Sequence, residues 1–320
     1  MITLIRRNAR VSIAIAALVI LFVSFISIHP RGLSTYVVSI WANQGILLAL
    51  AAIAQFFVVL VKGIDLSVGP MVALTNVVAS YWIVGGPLEV ALGTVGVLLV
   101  GTACGLVNGI AVVYGRVQPI VATLATGSMF YGIALMLRPT PGGEVSEGIS
   151  DALTYDIHGV PTTLIVMILV LLALALPLRR TRLGLAMYAI GSSEASAYMT
   201  GLQTGLVKLA AYAAGGFFAG AAGFFVSMVT LTGDAGVGTS YTLNSIAAVV
   251  LGGVALSGGI GNPLGAVVGA LILKTISSLM FFTGLPPLAQ PFFEGAILAI
   301  AIVLGALNVF RHRSRLQAFE

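Results

Sequence analysis

G63-I-D-L-S-V-G69 decides how this chain is read, because it stands between two segments long and apolar enough to cross a bilayer. A glycine-bounded turn carrying one carboxylate, Asp65, has no place in lipid. Non-helical backbone at membrane depth survives only where protein buries it or water reaches it. The turn therefore points to a pathway or gate in an integral membrane protein.

The composition around it agrees. Charged residues make up 8% of the chain and the apolar and aromatic types 59%. A soluble domain carries about 25% charged residues, so this chain could not cover its own surface with polar groups. The net charge of +5 lies in short segments between apolar runs, where it sets membrane orientation rather than marking a nucleic-acid surface. The single cysteine, Cys104, sits in an apolar run and excludes an intrachain disulfide. No small-residue cleavage site precedes His29-Pro30, so the first apolar run is expected to stay as a helix.

A membrane-crossing helix needs about 20 apolar residues. Ten candidate spans follow, near 11–28, 37–61, 71–84, 88–113, 119–137, 161–178, 207–231, 242–257, 263–282 and 290–307. Those at 71–84 and 242–257 are short and flanked by glycine, and are expected to be broken or re-entrant. Threading ten spans with the N-terminus inside places Arg6, Arg7, Arg10, Lys62, Arg116, Arg179, Arg180, Arg182, Lys208, Arg311, Arg313 and Arg315 on the cytoplasmic side. Only Arg31 and Arg138 fall outside, and Lys274 lies within a span. This predicts cytoplasmic termini. It also gathers Glu144, Glu147, Asp151 and Asp156 in an outer loop over 138–160.

The two halves repeat. D65-L-S-V-G69 precedes A73-L-T-N76-V-V-A79, and 169 residues later D234-A-G-V-G238 precedes T242-L-N-S245-I-A-A248. A Phe-Phe pair lies upstream of each, at 56–57 and 224–225. Five spans separate the copies, so the repeats, about 11–137 and 161–307, have opposite orientation. The expected fold is an all-α integral membrane protein of about ten transmembrane helices in two inverted five-helix repeats, forming one domain over 1–320. Inverted repeats with interrupted helices point to a transporter whose solute passes near the repeat interface. The competing explanation is chance similarity between segments rich in glycine and valine.

Among the polar residues of the spans, Asn76 and Ser245 hold matching repeat positions, with Asn244 adjacent. Together with Asp65, Ser67, Asn108 and Asp234 they form the candidate pathway group. For any one of them, ordinary helix–helix hydrogen bonding is the alternative. The connection at 179–205, RRTRLGLAMYAIGSSEASAYMTGLQTG, is the longest on the inner side. Ser192 or Ser193 suits an N-cap and Glu194 a first turn, which predicts a short helix from about 193 to 200. Such a helix would suit docking by a cytoplasmic partner; the alternative is a solvated loop. No G-x-x-x-x-G-K-[ST] phosphate cradle occurs, and L256-S-G-G259 without one is read as a turn. Any ATP used is hydrolysed by a separate chain. No His/Cys cluster suggests a metal, and no nucleophile–base arrangement suggests catalysis.

GIDLSVG (63–69), GLVNGIAVVYGRVQPIVATLATG (105–127), RTRLGLAMYAIG (180–191) and AAVVLGGVALSGGIG (247–261) together resemble the membrane permease of bacterial ABC importers of the ribose/galactose type, a family related to branched-chain amino-acid permeases. The resemblance implies a multi-pass protein of the bacterial inner membrane that is a translocation subunit rather than an enzyme. It further implies a second permease subunit, cytoplasmic ABC ATPases that use the ATP, and a periplasmic substrate-binding protein. This chain itself would bind no cofactor. Residues 179–205 correspond to the loop that receives the ATPase, with Ser193, Glu194, Ala195, Ser196 and Met199 as candidate contacts. The expected solute is small and polar, a sugar by family. Departures concern the solute more than the class: Thr242 and Asn244 replace two acids common in sugar permeases, and Lys62 and Pro70 flank the Asp65 turn where Gly and Ser are common.

A stand-alone channel or an ion-coupled secondary transporter is the rival class, in which Lys274 and Glu294 would serve a proton relay. The alternative for those two is a structural ion pair between neighbouring helices. Lys274 lies eight residues from the outer end of one helix and Glu294 four residues into the next. These are depths of about 12 and 6 Å that a lysine stem can bridge.

Overall fold

A computed structural model describes residues 9–286 and, beyond them, 289, 292, 293, 295, 296 and 299. Twelve α-helices occur among the described residues: α1 Ala9–Ile28, α2 Thr35–Leu60, α3 Val68–Trp82, α4 Pro87–Val113, α5 Pro119–Leu137, α6 Glu147–Thr154, α7 Thr162–Arg180, α8 Arg182–Ser192, α9 Glu194–Met199, α10 Thr204–Thr230, α11 Thr239–Leu251 and α12 Pro263–Phe282. A 3-10 turn, Ala235–Gly238, leads into α11. Starts are written into the sequence. Ser34 caps α2 by accepting from the Val37 N–H at 3.4 Å, and Asn262 caps α12 through Leu264 N–H at 3.0 Å. Proline in the first turn of α4, α5 and α12 removes a donor that would have no partner there.

Helix α2 is the centre. Every residue from Gly45 to Leu60 is buried, as expected of a helix apolar on all sides. Helices α10, α11 and α12 pack around it. The closest seam joins α4 to α10, where Gly101 and Gly105 face Gly216 and Gly220. A methyl on Gly105 would overlap the Tyr212 carbonyl, and one on Gly216 the Gly101 carbonyl, so the backbones touch directly. Helix α1 is peripheral, held to α12 through Ala14, Val268 and Ile272.

Among the described residues six helices, α1 (from Arg10), α2, α4, α5, α10 and α12, are long and apolar enough to cross a membrane. Helices α3 and α11, with 15 and 13 residues, reach only about 22 and 20 Å, short of a hydrocarbon core of about 30 Å. They cover the two segments expected to be broken. Both start about three residues earlier than the sequence suggested, because Pro70 fits a first helical turn and the Gly238 backbone already turns helically. Helix α11 also ends sooner, at Leu251, where Gly253 takes φ +80°. The expected last span, 290–307, lies mostly outside the described residues.

The 138–160 loop is more ordered than a solvated loop would be. It contains α6 and a two-residue hairpin, β1 Asp156–Ile157 against β2 Val160–Pro161. Gly142 pairs with Gly233, Ser146 N–H donates to the Ile83 carbonyl at 2.8 Å, and the Ser150 hydroxyl donates to the Met228 carbonyl at 2.5 Å. Arg138 stacks on Tyr81 at 4.3 Å beneath Gly143.

Candidate functional site

The Asp65 turn is held from four sides. Asp65 is fully buried. One carboxylate oxygen accepts from the Ser67 N–H at 2.8 Å and the Ser67 hydroxyl at 2.6 Å; the other accepts from the Asn108 amide at 3.3 Å. The first of these closes an Asx-turn, the conformation that lets Asp reverse a chain locally. The Asn108 amide also donates to Ser67 Oγ at 2.7 Å, and its carbonyl accepts from the Thr126 hydroxyl. Thr123 accepts from Leu66 N–H at 3.0 Å. The Gln55 amide, oriented to satisfy both groups, donates to the Asp65 carbonyl at 2.9 Å and accepts from its N–H at 3.2 Å. Helices α2, α4 and α5 thus each fasten the turn, and no cation bonds the carboxylate among the described residues.

The second turn has the same local geometry. Asp234 Oδ1 accepts from Gly236 N–H at 2.7 Å, again two residues on. Unlike Asp65 it is only half-buried. Asn76, buried in α3, binds this turn across a long stretch of sequence: its amide donates to the Thr232 carbonyl at 3.1 Å and its carbonyl accepts from Asp234 N–H at 2.7 Å. Ser245 is buried, its hydroxyl donating to the Thr242 carbonyl at 3.0 Å, while Asn244 is partly exposed beside it.

The two half-helices meet at their N-terminal ends. A methyl on Gly69 would overlap the Gly238 carbonyl and the Thr242 hydroxyl. One on Gly238 would overlap the Gly69 carbonyl and approach Ala73 Cβ at 2.8 Å. The N-termini of α3 and α11 therefore cross backbone to backbone. Each helix N-terminus carries about half a positive charge, and each is preceded by one of the two aspartate turns.

These contacts divide the sequence-derived group. Asp65, Ser67 and Asn108 form one cluster; Asn76 and Asp234 form another; Ser245 and Asn244 stand on α11 between them and the far end of that helix. In the sequence Gln55 is one polar residue in an apolar span, and Thr123 and Thr126 carry less signal still. Threonine in a membrane helix commonly bonds its own i−4 carbonyl, as both do here, so its presence carries no signal.

Residues 193–199 stand apart. Ser193 caps α9, accepting from Ser196 N–H at 3.3 Å, and Glu194 pairs with Lys208 of α10 at 2.5 Å. Ala197 is buried and fixes the helix, whereas Ala195 and Ser196 are exposed. Tyr198 at 71% and Met199 at 86% exposure present large apolar side chains to the outside. Lys274 lines a cavity of about 380 Å³ between α1, α2 and α12 with Arg31, His29, Tyr36 and Trp41. Glu294 lies outside the described residues.

Comparison with known proteins brings this arrangement to a family. The chain is 31% identical over 294 residues to the ribose import permease protein RbsC of Haemophilus influenzae, covering 90% of each chain. To the RbsC of Escherichia coli K12 it is 34% identical over 265 residues, 80% of this chain and 81% of the relative. The autoinducer 2 import system permease protein LsrD of Escherichia coli HS is 29% identical over 314 residues, 94% and 93% of the two chains. No solved structure matches. The family profile described as branched-chain amino acid transport system / permease component matches residues 37–302, and the chain belongs to that family, as a ribose/galactose-type membrane permease of ABC importers.

Proposed function

We propose that this chain forms the translocation pathway for a small polar solute, a sugar, within an ABC importer built of ten helices in two inverted repeats over about 11–137 and 161–307. The observation that carries the repeat reading is the crossing of α3 and α11. Gly69 touches Gly238, and each also touches the other's neighbour, Thr242 or Ala73, all related by the same 169-residue offset. Only residues on a two-fold axis meet their own equivalents. The Asx-turns at Asp65 and Asp234 obey that offset down to the bonded N–H. The sugar assignment draws on the names of the relatives, ribose permeases and an autoinducer 2 permease.

The sorting of Lys and Arg supports cytoplasmic termini and a cytoplasmic position for 179–205. On this reading a separate ATPase docks on α9, a periplasmic binding protein delivers the solute to the opposite side, and a second permease subunit completes the channel. This chain binds no cofactor, and the partner hydrolyses the ATP. Exposed Tyr198 and Met199 on a short capped helix suit a docking knob. Asp in place of Ala195 or Met199 puts a charge in that contact. Either substitution is expected to uncouple ATP hydrolysis from uptake in proteoliposomes while membrane insertion stays normal. Uptake by the purified chain without any ATPase would sink the importer assignment, and intact coupling in both variants would sink the docking site.

A further inference from the structure

We propose that a backbone seam joining residues 60–62, 191–192 and 258–259 transmits movement of α9 to both half-helices, with Lys62 as the strap that keeps it closed. The inference rests on the coupling role proposed for 179–205.

Three chain segments meet here with almost no side chain between them. Gly259 N–H donates to the Leu60 carbonyl at 3.0 Å. A methyl on Gly191 would overlap that same carbonyl and the Gly259 nitrogen, and one on Gly259 would lie 2.5 Å from Ser192 N. Gly258 and Gly259 hold φ +84° and +70°, left-handed values that let the turn pass this close. Tyr188 Oη donates to the Gly261 carbonyl at 2.9 Å and pins the turn to α8 from its other end.

The position of the seam gives it its use. Ser192 ends α8, two residues before α9 begins. Leu60 ends α2, five residues before Asp65 and eight before α3 begins at Val68. Residues 258–261 lie between α11 and α12. A displacement of α9 thus reaches the root of one half-helix and the exit of the other through the same contact. Backbone packed on backbone has no rotamer freedom to absorb the displacement, and close-packed interiors pass strain on.

Lys62 is the side chain that crosses the seam, whereas Tyr188 holds only its far end. It is not glycine, yet it holds φ +66°, a left-handed conformation that is unfavourable for any residue with a Cβ. Its stem lies on Gly258, and its Nζ donates to the Ser192 carbonyl at 3.3 Å. Glycine at this place would relax the backbone and remove only the strap. Coupling, not folding, is therefore what Lys62 supports.

Two variants test this in proteoliposomes holding the chain with its ATPase and binding protein and radiolabelled ribose as probe. Lys62 Cγ lies beside the place a Cβ on Gly258 would take, so Lys62→Cys with Gly258→Cys in a Cys104→Ala background sets two thiols side by side, and disulfide formation is first scored by gel mobility. The oxidised pair is expected to keep importing and to consume about threefold less ATP per ribose than its own reduced form, which has lost the strap, because the closed seam moves as one piece. Lys62→Gly is expected to keep the ATPase on the membrane and its thermal stability undiminished while ATP consumed per ribose rises about threefold, the bias an exposed charge-assisted bond can exert. Oxidation that halts import, or an unchanged ratio in Lys62→Gly, overturns the inference alone. A wild-type chain that retains no ATPase overturns the coupling role beneath it.

Discussion

Removing Asn108 and Asp65, singly and together, tests whether the Asp65 turn is a braced structural unit. Asn108→Ala deletes donors to Ser67 Oγ at 2.7 Å and to Asp65 Oδ2 at 3.3 Å, and the acceptor of the Thr126 hydroxyl. It leaves a fully buried carboxylate oxygen without a donor among the described residues. A bond to a charged group is worth about 1.5–3 kcal/mol, and stranding its buried partner adds to that. A loss of about 3 kcal/mol follows. Asp65→Ala strands the Ser67 N–H and one Asn108 donor, for about 2 kcal/mol. Once Asp65 is gone, Asn108 has less to hold, so the double variant should lose about 3.5 kcal/mol rather than the sum, a coupling of about 1.5 kcal/mol. Unfolding of the purified chain in mixed detergent–SDS micelles reads all four corners of the cycle. Strict additivity would mean that the two residues do not support each other, and the brace would have to be abandoned. Asp65→Asn keeps the acceptor for Ser67 but sets its NH2 against the Asn108 amide donor, and should cost at least the coupling, about 1.5 kcal/mol, in the same assay.

Further expectations follow from the other contacts. Gly69→Ala or Gly238→Ala drives a methyl into a carbonyl at the helix crossing and should lower the yield of folded protein sharply, while Gly132→Ala, with open space around it, should leave yield and melting unchanged in fluorescence size-exclusion profiles. If Lys274 and Glu294 form an ion pair, Lys274→Ala should destabilise by about 3 kcal/mol and the double change to Ala should recover much of that; independent losses in the same unfolding cycle would reject the pair. If Arg31 and Arg138 anchor acidic groups of a binding protein, neutralising both should weaken docking and flatten its salt dependence, measured by surface binding to reconstituted vesicles. Arg138 also stacks on Tyr81, so Arg138→Gln needs a melting control.

Much of the helix layout was legible because lipid imposes one strong rule, a run of about 20 apolar residues per crossing. The two half-helices were legible as breaks in that rule, and the spacing of D-x-x-V-G placed Asp65 and Asp234 in like settings before any contact was known. What stayed hidden is contact between segments remote in sequence. Nothing local marks Gly142 as the partner of Gly233, or Ser192 as the acceptor for Lys62. Thr123 and Thr126 are three residues apart on α5, which any membrane helix would tolerate, and only the fold brings them beneath the Asp65 turn. One signal was present and went unread: G101-T-A-C-G105 and G216-F-F-A-G220 are small-xxx-small patterns that announce close helix pairing. The 138–160 loop reads as acidic and solvated by composition alone, and its fastening by Ser146 and Ser150 depends on partners more than 60 residues away.

The glycine seam between α4 and α10 has a thermal consequence. Lipid tails are as apolar as the side chains, so expulsion of water does not drive these helices together, and dispersion, weak Cα–H···O contacts and released lipid do. The hydrophobic effect fades on cooling because its driving force near room temperature is entropic. A contact built of direct backbone approach has no such dependence. The α4–α10 contact should therefore hold its grip in the cold, and loss of transport at low temperature should track the stiffening of the surrounding lipid rather than any loosening of these two helices.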